Sequence, residues 1–567
     1  MPYPLAYSIT REIGRGMFSS DLNPQQRADA LEALATEEFD IVVIGGGVTG
    51  AGAALDAASR GLKVALIEAR DLASGTSSRS SKLIHGGLRY LEQYDFKLVR
   101  EALHERELMV SSLSPHLVKP VGFLYPLHEK VKDRTYVGAG LALYDVLRGF
   151  QRALPWHKHM SQKKIGEIAP SLRQDIVTGA VKYYDAQVDD ARHTMTIVRT
   201  ARRHGAVIAT RVEVTDLIRN GKKVTGANLL DTISGKTLKV KSKSIVMCAG
   251  IWSDELHEKF GLTPGYSVTM SKGVHITLPG SAIKSDTGII LKTAISVLFL
   301  IPWGDQWIVG TTDTPYTGDR AEPHPTEEDI TYILDQANRV LDPKLKREDI
   351  IGAYAGLRPL VSNSKGSATT KLSREHTVDR SAPGFVSIAG GKYTTYRVMG
   401  KDAVDLAVVD LRRLVNESCT EKLPLVGADG YFALVQQSAQ IADEFGLSQV
   451  TVTHLLNRYG SLISEVLEII SENKKLAAPL TKNLPYIKAE IIYAASHEGA
   501  MSIDDVISRR TRLTFEAADY GLDLVDAIAD LIAPILGWNA KAKKASVAAY
   551  LEKVAQEKAA LSALLNS

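Results

Sequence analysis

The chain is short of cysteine, of any excess of charge and of long apolar runs. Only Cys248 and Cys419 occur among its 567 residues. Two distant thiols form neither a disulfide framework nor the paired Cys or His spacing of a metal site. A reducing compartment is therefore expected, and no metal. Formal net charge is +3, from 68 basic and 65 acidic residues, too balanced for nucleic acid as the main partner. No apolar run reaches the roughly 18–20 residues that cross a bilayer. The richest stretch, 522–538, is broken by Asp523, Asp526 and Asp530. The first 34 residues hold Arg11, Arg15 and Arg27 without a signal-peptide core, and read as an extension. No internal repeat is apparent, and the length suits two or three domains.

What the chain does have is a glycine turn in a full structural context. Phe39 to Ile44 reads as a buried strand, and Gly45-Gly46-Gly47-Val48-Thr49-Gly50 follows at once. Ala51, Leu55, Ala58 and Leu62 then recur at helical spacing. A second strand, Val64 to Ile67, ends on Glu68. Strand, Gly-x-Gly-x-x-Gly, helix, strand and acid together make the dinucleotide fingerprint. Gly45 permits the tight turn, Gly47 lets the backbone approach a pyrophosphate, and Gly50 lets the helix sit close to the sheet. The helix N-terminus offers free N–H donors to that pyrophosphate. Glu68 can accept hydrogen bonds from a ribose diol, and its charge argues against the 2′-phosphate of NADP. The fingerprint alone does not separate NAD from FAD.

The rest of the nucleotide-binding sheet is scattered. Lys243 to Gly250 and Phe385 to Gly391 each read as a buried strand running into glycine, far from the first in sequence. Short β segments fill 265–360, and the pattern beyond about 420 is almost wholly helical. An NAD dehydrogenase more often keeps its Rossmann unit in one block, so this interruption favours a flavoprotein. The expected fold class is α/β. It comprises a Rossmann-like FAD-binding domain from 38–115, 186–256 and 361–415, a β-rich substrate domain from 116–185 and 257–360, a helical domain from 416–567, and an N-terminal arm over 1–37.

The run Thr76-Ser77-Ser78-Arg79-Ser80-Ser81-Lys82-Leu83-Ile84-His85-Gly86-Gly87-Leu88-Arg89-Tyr90-Leu91-Glu92 closely resembles a signature of FAD-dependent glycerol-3-phosphate dehydrogenases. Val309 to Asp313, Ala355 to Leu360, Ser373 to His376 and Gly390 to Arg397 match further motifs in the same order. The resemblance covers about 38–420 strongly and the helical part more loosely. It implies a fold of the D-amino-acid oxidase type, FAD as cofactor, and oxidation of sn-glycerol 3-phosphate to dihydroxyacetone phosphate. Electrons would pass to membrane quinone, or in oxidase relatives to oxygen. No obvious oxidase-type insertion is present, which favours the dehydrogenase. An amine or hydroxy-acid oxidase would not need the phosphate-directed arginines, and a nucleotide sensor would need an output module.

Within the resemblance, residue types suggest roles. Arginine suits a phosphate through paired, charge-assisted hydrogen bonds. Arg358 and Arg374 are the expected phosphate ligands, and Arg89 and Tyr90 would reach the substrate from the flavin side. His275 is the candidate general base, since its ordinary pKa of about 6.5 suits proton transfer. Arg89 and Arg358 complete the expected catalytic set, with Thr312 on a substrate oxygen. Lys392 would serve both substrate and flavin. Thr76, Ser77, Ser78, Ser81, Lys82, His85, Gly86, Gly87, Ala249, Gly250, Trp252, Gly391 and Thr394 complete the expected cofactor set with Gly45, Gly47, Gly50 and Glu68. The cluster Arg509-Arg510-Thr511-Arg512 and Lys541, Lys543 and Lys544 read as solvated helix faces that could also favour an anionic membrane. A quinone-linked enzyme would sit peripherally on the inner face of the cytoplasmic membrane. A homodimer through the helical domain is left open.

Overall fold

The computed structural model describes residues 19–91, 94–149, 153–293, 296–362 and 375–566. Arg374 and the side chain of Arg89 lie outside the described residues.

Among the described residues, two sheets build the core. The first has eight strands, with Glu38–Ile44 parallel to both Val64–Glu68 and Thr237–Met247. Phe385–Gly390 adds in parallel beyond Thr237–Met247, and Val207–Thr210 beyond Val64–Glu68. Segments as far apart in sequence as those of Phe39 and Ser242 therefore sit side by side. The central strands carry the apolar runs Ile41 to Ile44, Val64 to Ile67 and Ile245 to Met247, which helices cover. Val48–Ser59, Asp190–Arg203 and Tyr396–Ala407 share one apolar cluster on one face. Gly400 lets the last of these approach the first, since a Cβ there would lie 2.5 Å from the Gly52 carbonyl carbon. The N-terminal arm includes a helix, Pro24–Thr36, whose Ala30 and Leu34 pack into a second cluster with Val42 and Ala65.

The second sheet has ten strands. Its spine is Ser267–Pro279, antiparallel to Gly352–Ser362 and to Gln306–Gly310. This pairing sets His275 opposite Tyr354 and Ser271 opposite Arg358. Leu83–Ile84, inside the segment assigned by sequence to the FAD-binding domain, pairs instead with Gly179–Gln187 of this sheet. The serine-rich loop before it therefore spans the gap between the sheets.

The helical region from Tyr431 onward has its own apolar clusters. It joins the rest through buried ion pairs. Arg510 bonds both oxygens of Asp71, at 2.7 and 2.8 Å. Arg192 holds Glu498, and Arg512 holds Asp189 and Asp190. The arginine cluster at 509–512 is thus neither a solvated face nor a membrane contact, because Arg509, Arg510 and Arg512 are all buried. The carboxylates that neutralise them lie up to 439 positions away, so residue type alone could not reveal it. Lys543 is an ordinary surface group paired with Asp530.

Candidate active site

A cavity of about 610 Å³ lies between the two sheets, reaching from the glycine turn to His275 and Arg358. At its nucleotide end, Gly45 has φ +109°, and a Cβ there would lie 2.5 Å from the Cys248 carbonyl oxygen. A Cβ on Gly50 would lie 1.9 Å from the Gly45 carbonyl oxygen. Glycine alone lets the helix begin this close to the strand. Gly47 is the N-cap of that helix and bears no side-chain cap bond. The first turn, Gly47 to Thr49, lines the cavity, and Val48 N–H donates to Ser77 Oγ at 2.9 Å.

Glu68 lines the same end. Its two carboxylate oxygens accept from Gly46 N–H and Arg70 N–H, both at 2.7 Å. Burial pushes its carboxyl pKa up, against the pull of those two backbone donors. A carboxylate fixed from behind in this way keeps lone pairs for a diol. Trp252, Ala249 and Gly250 form the adjoining wall, with the Arg70 guanidinium 5.3 Å from the Trp252 ring. Anion-binding helix end, diol acceptor and elongated cavity match the parts of a dinucleotide in order. The residues present therefore fit FAD.

The far end carries the polar groups. His275 Nε2 lies 2.8 Å from Ser81 Oγ, and the ring stacks on Tyr354 at 4.9 Å with an interplanar angle of 11°. Its Nδ1 is buried without a hydrogen-bond partner. Burial, then the charges of Arg358 and Lys82, hold its pKa well below the usual histidine value, so the ring is neutral at pH 7. Arg358 donates from Nη1 to the Thr312 carbonyl at 3.1 Å and from Nη2 to Thr311 Oγ1 at 2.9 Å. Asp313 Oδ1 is 3.6 Å from Nη1. Gly273 leaves the room this needs, since a Cβ there would lie 2.5 Å from Arg358 Nη2. Lys392 Nζ sits 3.8 Å from the Tyr90 ring centroid, close enough for cation–π attraction.

Thirteen of the expected cofactor residues line the cavity: Gly45, Gly47, Glu68, Thr76, Ser77, Ser81, His85, Ala249, Gly250, Trp252, Gly391, Lys392 and Thr394. Tyr90, His275 and Arg358 line it as expected for substrate. Other residues stand elsewhere. Thr312 is buried behind the strand, its Oγ1 accepting from Val274 N–H at 3.0 Å. Lys82 is buried and paired with Asp190 at 3.0 Å, so its ammonium serves the loop and not the cavity. Ser78 Oγ folds back on the Gly75 carbonyl at 3.4 Å. Gly86 N–H is taken by Tyr144 Oη at 2.9 Å. Gly87, with φ +77°, makes space for Tyr90 and Lys392 and does not itself line the cavity.

Sequence reasoning missed Tyr354, the partner of His275, and Asp190, which accepts from Ser80 N–H at 3.0 Å and Ser80 Oγ at 2.7 Å. Strand register brings Tyr354 to His275, and the helix start brings Asp190 to the serine loop. A motif has no access to either. Val212, Glu213 and Val214, also on the cavity wall, carry no distinguishing signal in the sequence.

Residues 40–397 match the family model described as FAD dependent oxidoreductase, and 418–543 that of the C-terminal domain of alpha-glycerophosphate oxidase. The chain is 49% identical over 544 residues to glycerol-3-phosphate dehydrogenase 2 of Mycobacterium tuberculosis, covering 96% of this chain and 93% of that one. It is 37% identical over 538 residues to the mitochondrial glycerol-3-phosphate dehydrogenase of Homo sapiens, covering 91% of this chain and 73% of that one. Its structure resembles that of the glycerol-3-phosphate dehydrogenase from Bacillus halodurans complexed with FAD, with a TM-score of 0.78 at 29% identity. That likeness covers 95% of this chain and 98% of the other.

Proposed function

The chain belongs to the family of FAD-dependent glycerol-3-phosphate dehydrogenases, and on that premise we propose that it oxidises sn-glycerol 3-phosphate to dihydroxyacetone phosphate and delivers the electrons to membrane quinone. The observation that carries this reading is the convergence of a neutral, buried histidine and an anchored arginine at one end of a dinucleotide-shaped cavity. FAD, held along Gly45, Gly47, Glu68, Ser77, Trp252 and Thr394, supplies the hydride acceptor when bound.

The protein's own groups bind, aim and deprotonate. Arg358 holds the substrate phosphate, its guanidinium fixed by Thr311 and Thr312 so that little side-chain freedom is lost on binding. Arg89 and Arg374 belong to the same proposed anion set. His275 takes the hydroxyl proton. Its low pKa keeps the ring unprotonated and ready, and Ser81 Oγ fixes its orientation through Nε2. Proton uptake by His275 beside Arg358 is costly until the phosphate dianion arrives and offsets that charge, which ties proton transfer to the correct substrate. Lys392, steadied on Tyr90, favours negative charge at the same end of the cavity.

An anaerobic absorbance titration tests the reading. Flavin absorbance should bleach with sn-glycerol 3-phosphate and not with glycerol. Reoxidation should be fast with a soluble quinone analogue and slow in air. Fast recovery in air would make the protein an oxidase producing hydrogen peroxide, and a flavin that never bleaches would remove the substrate assignment. A quinone-linked enzyme works peripherally on the inner face of the cytoplasmic membrane. Among the described residues, no helix is long and apolar enough to cross a membrane.

A further inference from the structure

Every polar group of Ser80 is engaged. Its N–H and Oγ both donate to Asp190 Oδ2, at 3.0 and 2.7 Å. Its Oγ accepts from Lys82 N–H at 3.0 Å, and its carbonyl accepts from Tyr354 Oη at 2.9 Å. Ser81 is the next residue, and its Oγ meets His275 Nε2. The same Tyr354 whose hydroxyl reaches Ser80 stacks its ring on His275. Both supports of the histidine, the hydroxyl at its edge and the ring on its face, therefore meet at one residue of the serine loop.

What holds that junction comes from the helical domain. Arg512 donates to Asp190 Oδ1 and, at 2.8 Å, to Asp189 Oδ1. Lys82 Nζ shares Asp190 Oδ1 at 3.0 Å. This buried ammonium sits among three aromatic rings, 5.8, 5.5 and 5.6 Å from the centroids of Trp303, Tyr354 and Phe515. Phe515 is the helical domain's part of that group. It lies edge-on to Tyr354 at 5.6 Å, with an interplanar angle of 69°, and edge-on to Trp303 at 5.9 Å. Its neighbour Glu516 accepts from Trp303 Nε1 at 3.0 Å. A second cavity, of about 180 Å³, opens beside these rings and is lined by Tyr354, Phe515, Leu561 and Leu564. Tyr354 lacks contacts where it borders that space, so Phe515 limits how far its ring can move.

We propose that Arg512 and Phe515 of the helical domain are positioning residues for His275, Arg512 acting through Asp190 and the serine loop and Phe515 through Tyr354. The inference rests on His275 being the base, as read above, and says what aims it. His275 is hydrogen-bonded at Nε2 and has no partner at Nδ1. A single hydrogen bond fixes one point of a ring and leaves rotation about it. The stacked face of Tyr354 removes that freedom. A base works only within hydrogen-bond reach of its proton, and a misplacement of about 1 Å costs about 10²-fold in rate. Among the described residues, the helical domain contributes none to the wall of the first cavity. Its effect on the reaction therefore passes through these contacts.

The test is a double-mutant cycle on flavin-loaded holoprotein, read by anaerobic stopped-flow reduction with sn-glycerol 3-phosphate. Asp190→Asn would strand two buried cations and report on folding, so Phe515 and Arg512 are altered instead. Phe515→Ala should lower the limiting reduction rate by about 10- to 100-fold, while half-saturation and flavin content stay near those of the unaltered protein. Phe515→Leu keeps most of the volume and should fall between; it carries the test if the alanine variant does not fold. Phe515→Tyr keeps the ring and should restore the rate. Arg512→Lys keeps the charge but loses the fork that spans both aspartates, and should also lower the limiting rate. In a His275→Asn background, Phe515→Ala should add little, because a residue acting through His275 has nothing left to position. An equal loss in that background would overturn the inference. So would a Phe515→Ala or Phe515→Leu protein that loses stability or flavin but keeps its limiting rate. An unchanged limiting rate in Arg512→Lys would remove Arg512 from the role. An unchanged rate in His275→Asn alone would remove the base assignment and the positioning role with it, and that arm separates failure of the reading above from failure of this one.

Discussion

Replacing Arg358 by alanine tests the proposed phosphate contact. The guanidinium makes two hydrogen bonds to its own wall, 3.1 Å to the Thr312 carbonyl and 2.9 Å to Thr311 Oγ1, and its side chain is 26% exposed towards the cavity. A hydrogen bond to a charged group contributes about 1.5–3 kcal/mol. Truncation should therefore weaken substrate binding by about 2–3 kcal/mol, or roughly 30- to 150-fold in Kd at about 1.4 kcal/mol per factor of ten. Arg358→Lys keeps the charge but loses the planar fork, so it should fall between the two. The assay is anaerobic stopped-flow reduction of bound flavin over a range of sn-glycerol 3-phosphate concentrations. Half-saturation should rise by the stated factor while flavin content stays full. The limiting rate should change much less. An unchanged half-saturation would refute the phosphate role of Arg358, and loss of flavin would show that the side chain supports the fold instead.

Further outcomes are expected at three other residues. His275→Asn should lower the limiting reduction rate by about 10²–10⁴. In the unaltered protein, where burial depresses the ring's pKa, flavin reduction should lose nothing to His275 protonation between pH 8 and about 6.5, and a fall of tenfold across that range would contradict the depression. Gly50→Ala forces a methyl into the Gly45 carbonyl at 1.9 Å; purified protein should be colourless, and full flavin occupancy by absorbance would refute the packing argument. Burial raises the Asp71 carboxyl pKa, but Arg510 and Arg509 outweigh it and hold it well below the carboxylate range. The stabilisation is therefore complete above the unfolded value of about 3.9 and is lost as pH falls towards the folded one. Chemical denaturation should show stability declining below about pH 4, and Asp71→Asn, which removes the charge, should cost about 3–5 kcal/mol at pH 7.

The legible parts of the site were those built by local chain geometry. Gly45, Gly47, Gly50 and Glu68 sit in one contiguous unit, and Gly45, Gly47 and Glu68 line the cavity. Ser77 and His85 follow from the loop that continues it. Thr312 was read as a substrate contact, yet its hydroxyl closes a bond within its own sheet. Lys82 was read as a cofactor contact, and its charge is consumed by Asp190, more than a hundred positions away. The arginines at 509–512 carry the same lesson. A charged residue in a motif has an identity but no partner until the chain is folded, and the partner decides whether it faces solvent, ligand or another charge.

The sequence by itself determined the strand–turn–helix at one end of the cavity, the helical character of the last 150 or so residues, and the interruption of the first sheet, because each depends on periodicity and glycine stereochemistry over a few neighbouring residues. Tertiary structure alone decided that His275 meets Ser81 and Tyr354, that Asp190 pins the serine loop from behind, and that Tyr136, Leu143 and Val146 face outward while Leu141 and Tyr144 of the same apolar helix face in. The pattern of apolar residues on that helix is the same on both sides. Only the placement of a neighbouring helix makes one side core and leaves the other exposed.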